Sequence, residues 1–394
     1  MAEFSFRITE TCGSARIGIL ETANGCIETP YLVPVATLAT VKSLDSSDLE
    51  SIGAQCVLAN TYHLYLRPGD SIVKKLGGLH KFMNLKVPIF TDSGGFQAFS
   101  LGYGMEHNIN KLGGVFSGDK KAEEGKEKLA RITEEGIIFK SVYDGSKHVL
   151  TPKKSMSIQS NLGSDIIMAL DECTSPLSGY EYTERALVRT HRWAKESLRH
   201  HDRKQAIYGI IQGGYFRELR KKSSEFISSL PFEGIAIGGA LGKSKKDMHE
   251  ILDWIVPMLN DRPRHLLGIG EVDDLFECVE RGIDTFDCVA PTRLARRGGL
   301  YIRPESGGKI SNKFRINIDN KTFREDKEPI DKKCKCMTCR KYSRAYLRHL
   351  YAANELAYFR LATIHNLSFM LTLMKELRES IRGKTFSKLK KKWL

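Results

Sequence analysis

The stretch Gly282-Ile283-Asp284-Thr285-Phe286-Asp287-Cys288-Val289-Ala290-Pro291-Thr292-Arg293 runs from short apolar residues into a carboxylate and then into a proline turn. An apolar run of that length between turn formers reads as a buried strand, and an acid at its end reads as a group presented at a rim. Arg293, Arg296 and Arg297 follow, then Gly298 and Gly299, so the acid sits beside a cationic strip on a loop able to approach a ligand closely.

Working outward, seven comparable runs precede it: Tyr31 to Val35, Cys56 to Ala59, Val87 to Thr91, Ile166 to Leu170, Ile207 to Ile211, Gly234 to Ile237 and His265 to Ile269. Helical patterns separate them, which is the rhythm of a parallel sheet with crossover helices. With the last run the set numbers about eight, the number that closes a barrel. Polar residues stand at the ends of these runs: Asn60, Asp92, Asp171, Gln212, Gly238-Gly239, Gly270-Glu271 and Asp287. Any one of them is as well explained as a turn former or helix cap. Their recurrence at one rim is the signature of a barrel active site.

The bulk composition agrees. A chain of 394 residues with 41% hydrophobic and 27% charged side chains can build a sizeable core, and one large domain with an appendage is expected. No apolar run of 18 or more residues occurs, and the start Met1-Ala2-Glu3-Phe4 is not a secretory signal, so a cytoplasmic protein is expected. Lys and Arg number 61 against 47 acids, a net charge of +14 that favours polyanionic partners, although the Lys-rich end 387–392 supplies part of it. The nine cysteines suit reduced thiols.

Helix starts are expected at Ser43 to Leu49 and at Thr151-Pro152, with a long amphipathic helix from Tyr182 to Arg203. A Gly- and Lys-rich insertion spans 102–131, and a hairpin follows over Ile137 to Leu150. The catalytic barrel is expected over 1–298 and a second module with C-terminal helices over 299–394. Within it Cys334, Cys336 and Cys339 lie among cations where no apolar core uses them, and His365 lies on the following helix. Three thiolates and an imidazole make a closed tetrahedral set for one structural Zn2+, with His349 as the competing imidazole.

The acids suggest chemistry. Asp92 is followed by Ser93-Gly94-Gly95-Phe96, an acid, a close backbone approach and a ring face. Asp171 and Gln212 can accept from and donate to the edge of a guanine-like base, with the Gly238-Gly239 peptide adding an N–H and Phe96 stacking. Asp92 and Asp287 would then flank a glycosidic bond, Asp287 as nucleophile and Asp92 as the proton carrier, through a covalent sugar–enzyme intermediate.

Taken together, NTYHLYLRPG at Asn60 to Gly69, TDSGGFQAFSL at Thr91 to Leu101, SDIIMALDEC at Ser164 to Cys173, GIIQGG at Gly209 to Gly214, FDCVAPTR at Phe286 to Arg293 and the CxCxxC with its distant His resemble the tRNA-guanine transglycosylases over nearly the whole chain. The resemblance implies an irregular (β/α)8 TIM barrel with an inserted zinc-binding subdomain near the C-terminus. It also implies a pentosyltransferase that exchanges the wobble guanine of tRNA with a GUN anticodon for a 7-deazaguanine base. By that likeness Asp287 is the nucleophile and Asp92 the general acid/base. Asp171, Gln212 and Gly239 hold the base edge, Phe96 and Leu267 sandwich it, and Asn60 supports Asp92. Arg293 and Arg296 contact the RNA backbone, Cys334, Cys336, Cys339 and His365 hold zinc, and the protein is a homodimer. Bacterial-type members carry a Gly-Glu pair where this chain has Gly242-Lys243, in a segment one residue shorter. A cation there disfavours an aminomethyl cation, so queuine is the expected base in preference to 7-aminomethyl-7-deazaguanine. Two other classes of answer are a non-catalytic tRNA-binding subunit, against which both Asp92 and Asp287 speak, and a barrel N-glycosidase, which would need neither the metal clip nor the arginine strip.

Overall fold

The computed structural model describes residues 4–98 and 130–394. Eight parallel strands close into a barrel in their order along the chain: β1 Tyr31–Ala36, β2 Val57–Ala59, β3 Ile89–Thr91, β4 Ile166–Met168, β5 Ala206–Ile211, β6 Gly234–Ile237, β7 Arg264–Leu266 and β8 Thr285–Cys288. Parallel strands covered on both faces read as continuous apolar runs, and all six residues of β5 are buried. Register is regular, with Ile166 opposite Ala206 and Tyr208 opposite Gly234. The strands differ from the sequence reading mainly at their ends. The last begins at Thr285 and carries Asp287 as its third residue; just before it, Asp284 makes a buried two-point pair with Arg16, Nε to Oδ1 at 2.9 Å and Nη2 to Oδ2 at 2.5 Å.

Three N-terminal strands, Ser5–Cys12, Ala15–Thr22 and Gly25–Thr29, make an antiparallel sheet the sequence reading did not contain. Ser5–Cys12 alternates exposed and half-buried positions, so it lacks a continuous apolar run. The hairpin is present as Ile137–Lys140 paired with Lys147–Leu150, with Ala130–Ile132 added at its edge. The rest of the 102–131 insertion lies outside the described residues.

Crossover helices begin where the local chemistry starts them. Thr151 caps Pro152–Leu162 by accepting from the Lys154 N–H, with proline at the first turn where no N–H is needed. The long amphipathic helix runs Tyr180–His200, and the C-terminal helical stretch divides into Arg344–Ala352 and Leu356–Arg382.

The chain divides into two compact units, one comprising residues up to Phe6 with Glu21–Gly25 and Leu58–Leu267, the other Arg7–Leu20, Cys26–Val57 and Gly268–Leu394. In the second, Leu300, Ile302, Ile318, Ile330, Leu347, Tyr358 and Leu361 bury against Cys339 as a separate apolar cluster. Each aliphatic side chain fully buried there contributes roughly 1.5–3 kcal/mol of transfer free energy. The Lys-rich end is folded: Phe386–Trp393 is a helix whose Lys390 meets Glu277 and Glu280 and whose Lys392 meets Glu305.

Candidate active site

In the first unit, the polar residues after β3, β4, β5 and β6 converge. Asp171 follows β4 by three residues and is 7% exposed; Gln212 follows β5 directly and is 2% exposed. The Gln212 amide donates from Nε2 to Asp171 Oδ2 at 2.6 Å, and Ser93 donates from Oγ to Asp171 Oδ1 at 3.3 Å. Gln212 Oε1 is buried and accepts no hydrogen bond among the described residues. An unmet buried acceptor costs about 1–3 kcal/mol, which an N–H from a bound molecule would offset.

Gly239 lies against this amide with φ +82°, and a Cβ there would sit 2.0 Å from Gln212 Oε1, so both the backbone conformation and the space demand glycine. A Cβ on Gly238 would come within 3.1 Å of Leu267 Cδ1, which places the Leu267 side chain at the same spot. Across from them a Cβ on Gly95 would meet Asp171 O at 3.0 Å, and the half-buried Phe96 follows Gly95. Asp171, Gln212, Gly239 and Leu267 are therefore neighbours, and Phe96 is next in chain to a residue packed on Asp171.

Asp92 directly follows β3 and is held from several sides. Asn60 donates from Nδ2 to Oδ2 at 2.5 Å, the Thr61 N–H reaches Oδ1 at 2.9 Å and the Gly94 N–H reaches Oδ1 at 3.2 Å. Asn60 does two jobs, because its Oδ1 also accepts the His63 N–H and caps Thr61–Leu66. A carboxylate so fixed keeps one orientation, as an acid/base at a defined atom requires.

In the second unit, Asp287 Oδ1 accepts the Gly268 N–H at 2.9 Å. Burial, with the charges of Asp287 and Glu271, pushes the neighbouring Cys288 thiol up to about 12, so it stays protonated at neutral pH. Beyond β8 the helix Ala290–Ala295 carries an exposed Arg293 and ends on a half-buried Arg296. Burial and the adjacent Arg293 and Arg297 cations hold Arg296 below the usual guanidinium range, the mark of a cluster that gains from an anion. The Arg296 guanidinium is braced on Thr292 O at 2.8 Å.

Cys334, Cys336, Cys339 and His365 bring their ligand atoms within 4.8 Å of one another. His365 Nδ1 lies 3.7 Å from Cys336 Sγ and 3.3 Å from Cys339 Sγ. Tetrahedral ligands at zinc bond lengths have edges of about 3.3–3.8 Å, so the donor set fits a metal of that size. His365, not His349, completes the set, and its Nε2 is bonded to Tyr301 O at 2.7 Å, which fixes the ring as an outer partner should. The sulfurs crowd one another and His365, and a dication would draw all three as thiolates.

Lys243 is exposed, and its backbone N–H is bonded to Asp247 Oδ2 at 2.7 Å. Two residues at the site are not read from the sequence. Arg220 is wholly buried behind the β5 and β6 ends, and Asn366, beside His365, donates to Pro291 O and Gly299 O and accepts from the Tyr301 N–H. Position on an amphipathic helix, the only sequence signal at Arg220, points the other way.

A closed (β/α)8 barrel with acids at its strand ends and a Cys3His cluster near its C-terminus, a donor set compatible with a structural metal, defines the class as a barrel enzyme. The family model described as queuine tRNA-ribosyltransferase matches residues 11–394, and the chain belongs to that family. It is similar to a putative queuine tRNA-ribosyltransferase of Archaeoglobus fulgidus, 56% identical over 99% of this chain and 98% of that one. It also resembles queuine tRNA-ribosyltransferases of Roseiflexus sp. (44%, 99% and 98%) and Solidesulfovibrio magneticus (48%, 95% and 93%). No helix of the described residues is long and apolar enough to cross a membrane.

Proposed function

We propose that this chain is a tRNA-guanine transglycosylase, a pentosyltransferase that replaces a guanine of tRNA by a 7-deazaguanine base in queuosine formation. The observation that carries the reading is the buried Asp171–Gln212 pair with its unmet acceptor beside Gly239, a polar edge shaped for a base. In the mechanism, an Asp287 oxygen attacks the ribose C1′, the C1′–N9 bond breaks, and Asp92 delivers a proton to the departing guanine. Asp92 then takes the N9 proton of the incoming base, which attacks C1′ and releases Asp287. Two displacements retain configuration. Phe96 and Leu267 sandwich the base, Asn60 orients Asp92, and Arg293 and Arg296 hold the phosphates beside the nucleotide.

The finer readings follow the same line. The metal is Zn2+, held by Cys334, Cys336, Cys339 and His365, and it stabilises the 299–394 module without entering the chemistry. The substrate is tRNA with a GUN anticodon, and the enzyme works in the cytoplasm, where its nine cysteines stay out of disulfides. The protein is a homodimer; the exposed Tyr346, stacked on Tyr342 at 5.4 Å, and the exposed Leu356 are apolar surface in the metal-bearing module that a second copy would cover. Light scattering that returns a monomer mass at micromolar concentration would remove the dimer.

Labelled guanine exchange into tRNA tests the central reading. The enzyme exchanges, a non-catalytic subunit only binds, and an N-glycosidase ignores tRNA. Queuine is the preferred base because Lys243 stands where an acid would favour the aminomethyl cation. Equal or better incorporation of 7-aminomethyl-7-deazaguanine in direct competition overturns that preference.

A further inference from the structure

Arg220 lies on the helix Arg217–Ser229, yet its side chain is 0% exposed. Its guanidinium donates to four backbone carbonyls: Nε to Gly214 O at 2.8 Å, Nη1 to Ile211 O at 3.2 Å and to Gly238 O at 3.0 Å, and Nη2 to Ala240 O at 2.9 Å. Those carbonyls belong to the segments that leave β5 and β6, on either side of Gln212 and Gly239. Burial lowers its pKa to about 10, so it is still a cation at neutral pH. A buried cation is costly, and side-chain burial alone would be met more cheaply by an apolar residue. The fixed fork of the guanidinium, by contrast, can hold several carbonyls in one plane, which an ammonium or an apolar chain cannot do.

The bonds have a directional consequence. A trans peptide puts its C=O and N–H on opposite sides, so a Gly238 carbonyl turned to Arg220 turns the Gly239 N–H away from it. The same holds for Ala240 O and the Leu241 N–H. Gly239, meanwhile, is packed on Gln212 Oε1, whose hydrogen-bonding capacity is unfilled. Each carbonyl that accepts from a cation is also polarised, which strengthens its own N–H as a donor.

We infer that Arg220 is a positioning residue of the base subsite, a buried cation that fixes and polarises the Gly238–Gly239 and Ala240–Leu241 peptides so that their N–H groups meet the carbonyl oxygen of the bound purine or deazapurine. The inference rests on the base-pocket reading above. It assigns to Arg220 affinity for the free base and no part in gripping tRNA.

The test compares Arg220→Lys, Arg220→Ala and Gln212→Ala for the KM of free guanine, the KM of tRNA and thermal unfolding. Arg220→Lys is expected to raise the guanine KM roughly 10- to 100-fold, the size of one or two lost charge-assisted bonds, with the tRNA KM within about twofold. Guanidinium added at millimolar concentration is expected to bring the guanine KM of Arg220→Ala back toward wild type by filling the vacated space, while leaving Arg220→Lys unmoved. An unchanged guanine KM in folded Arg220→Lys overturns the inference, as does a parallel rise in both KM values. If Arg220→Ala is insoluble, Arg220→Lys alone decides. If Gln212→Ala also leaves the guanine KM unmoved, the pocket reading itself fails; if Gln212→Ala raises it and Arg220→Lys does not, only the role of Arg220 falls.

Discussion

At the scale of single residues, the two acids answer to different experiments. On the proposed mechanism Asp287→Ala removes the atom that would bond to ribose, so a denaturation-resistant tRNA adduct is expected to vanish from gels while tRNA still binds; an adduct that persists reassigns the nucleophile. Asn60→Ala acts on Asp92 indirectly. It takes away the 2.5 Å bond to Oδ2 and a helix cap, so kcat is expected to fall about 10- to 100-fold at a cost of only about 1 kcal/mol in stability. A large stability loss with unchanged kcat would make Asn60 a cap and nothing more. These residues were legible because a polar group after an apolar run carries meaning by position. Arg220 was not, since Arg217, Arg220, Lys221 and Lys222 crowd one helix and only the fold distinguishes the one that turns inward.

At the scale of elements, the parallel strands were readable from their apolar runs, whereas the N-terminal sheet was hidden because Ser5–Cys12 is nowhere fully buried. The loop from β3's approach to β4 offers a pH-dependent test. Asp165, just before β4, accepts from Asn24 Nδ2 at 2.7 Å and the Ile89 N–H at 2.8 Å and lies 3.1 Å from His80 Nε2. Burial opposes its ionisation, but those partners win and hold its pKa below the ordinary carboxylate value. A depressed folded-state pKa gives stability that is present above the unfolded value, near pH 4, and is lost as pH falls through the folded one. Asp165→Asn is therefore expected to destabilise by about 1–3 kcal/mol at pH 7, with a smaller gap to wild type at pH 3. Denaturant melts at both pH values check this; a gap that widens in acid contradicts it.

At the scale of the whole molecule, the net charge of +14 is not a free basic tail, because Lys390 and Lys392 are committed to Glu277, Glu280 and Glu305. On the proposed reading, the excess available to RNA then falls to sites such as the Arg293–Arg297 strip. Replacing Arg293 and Arg296 together by Gln is expected to lower the slope of log affinity for tRNA against log salt by about 1.4, roughly 0.7 for each phosphate contact on single-stranded RNA. An unchanged slope would send the RNA contacts elsewhere. Chelation of the metal should lower the unfolding temperature and raise the tRNA KM before the guanine KM moves, and the reverse order would disconnect the clip from RNA binding. The reason lies in two adjacent side chains: His365 completes the metal set while Asn366 ties Pro291 and Gly299, the two feet of the arginine loop. On the proposed reading one helical turn would answer to metal supply on one side and to the RNA grip on the other, so a zinc-starved cell would be expected to keep enzyme that recognises its nucleobase yet loses hold of its transfer RNA.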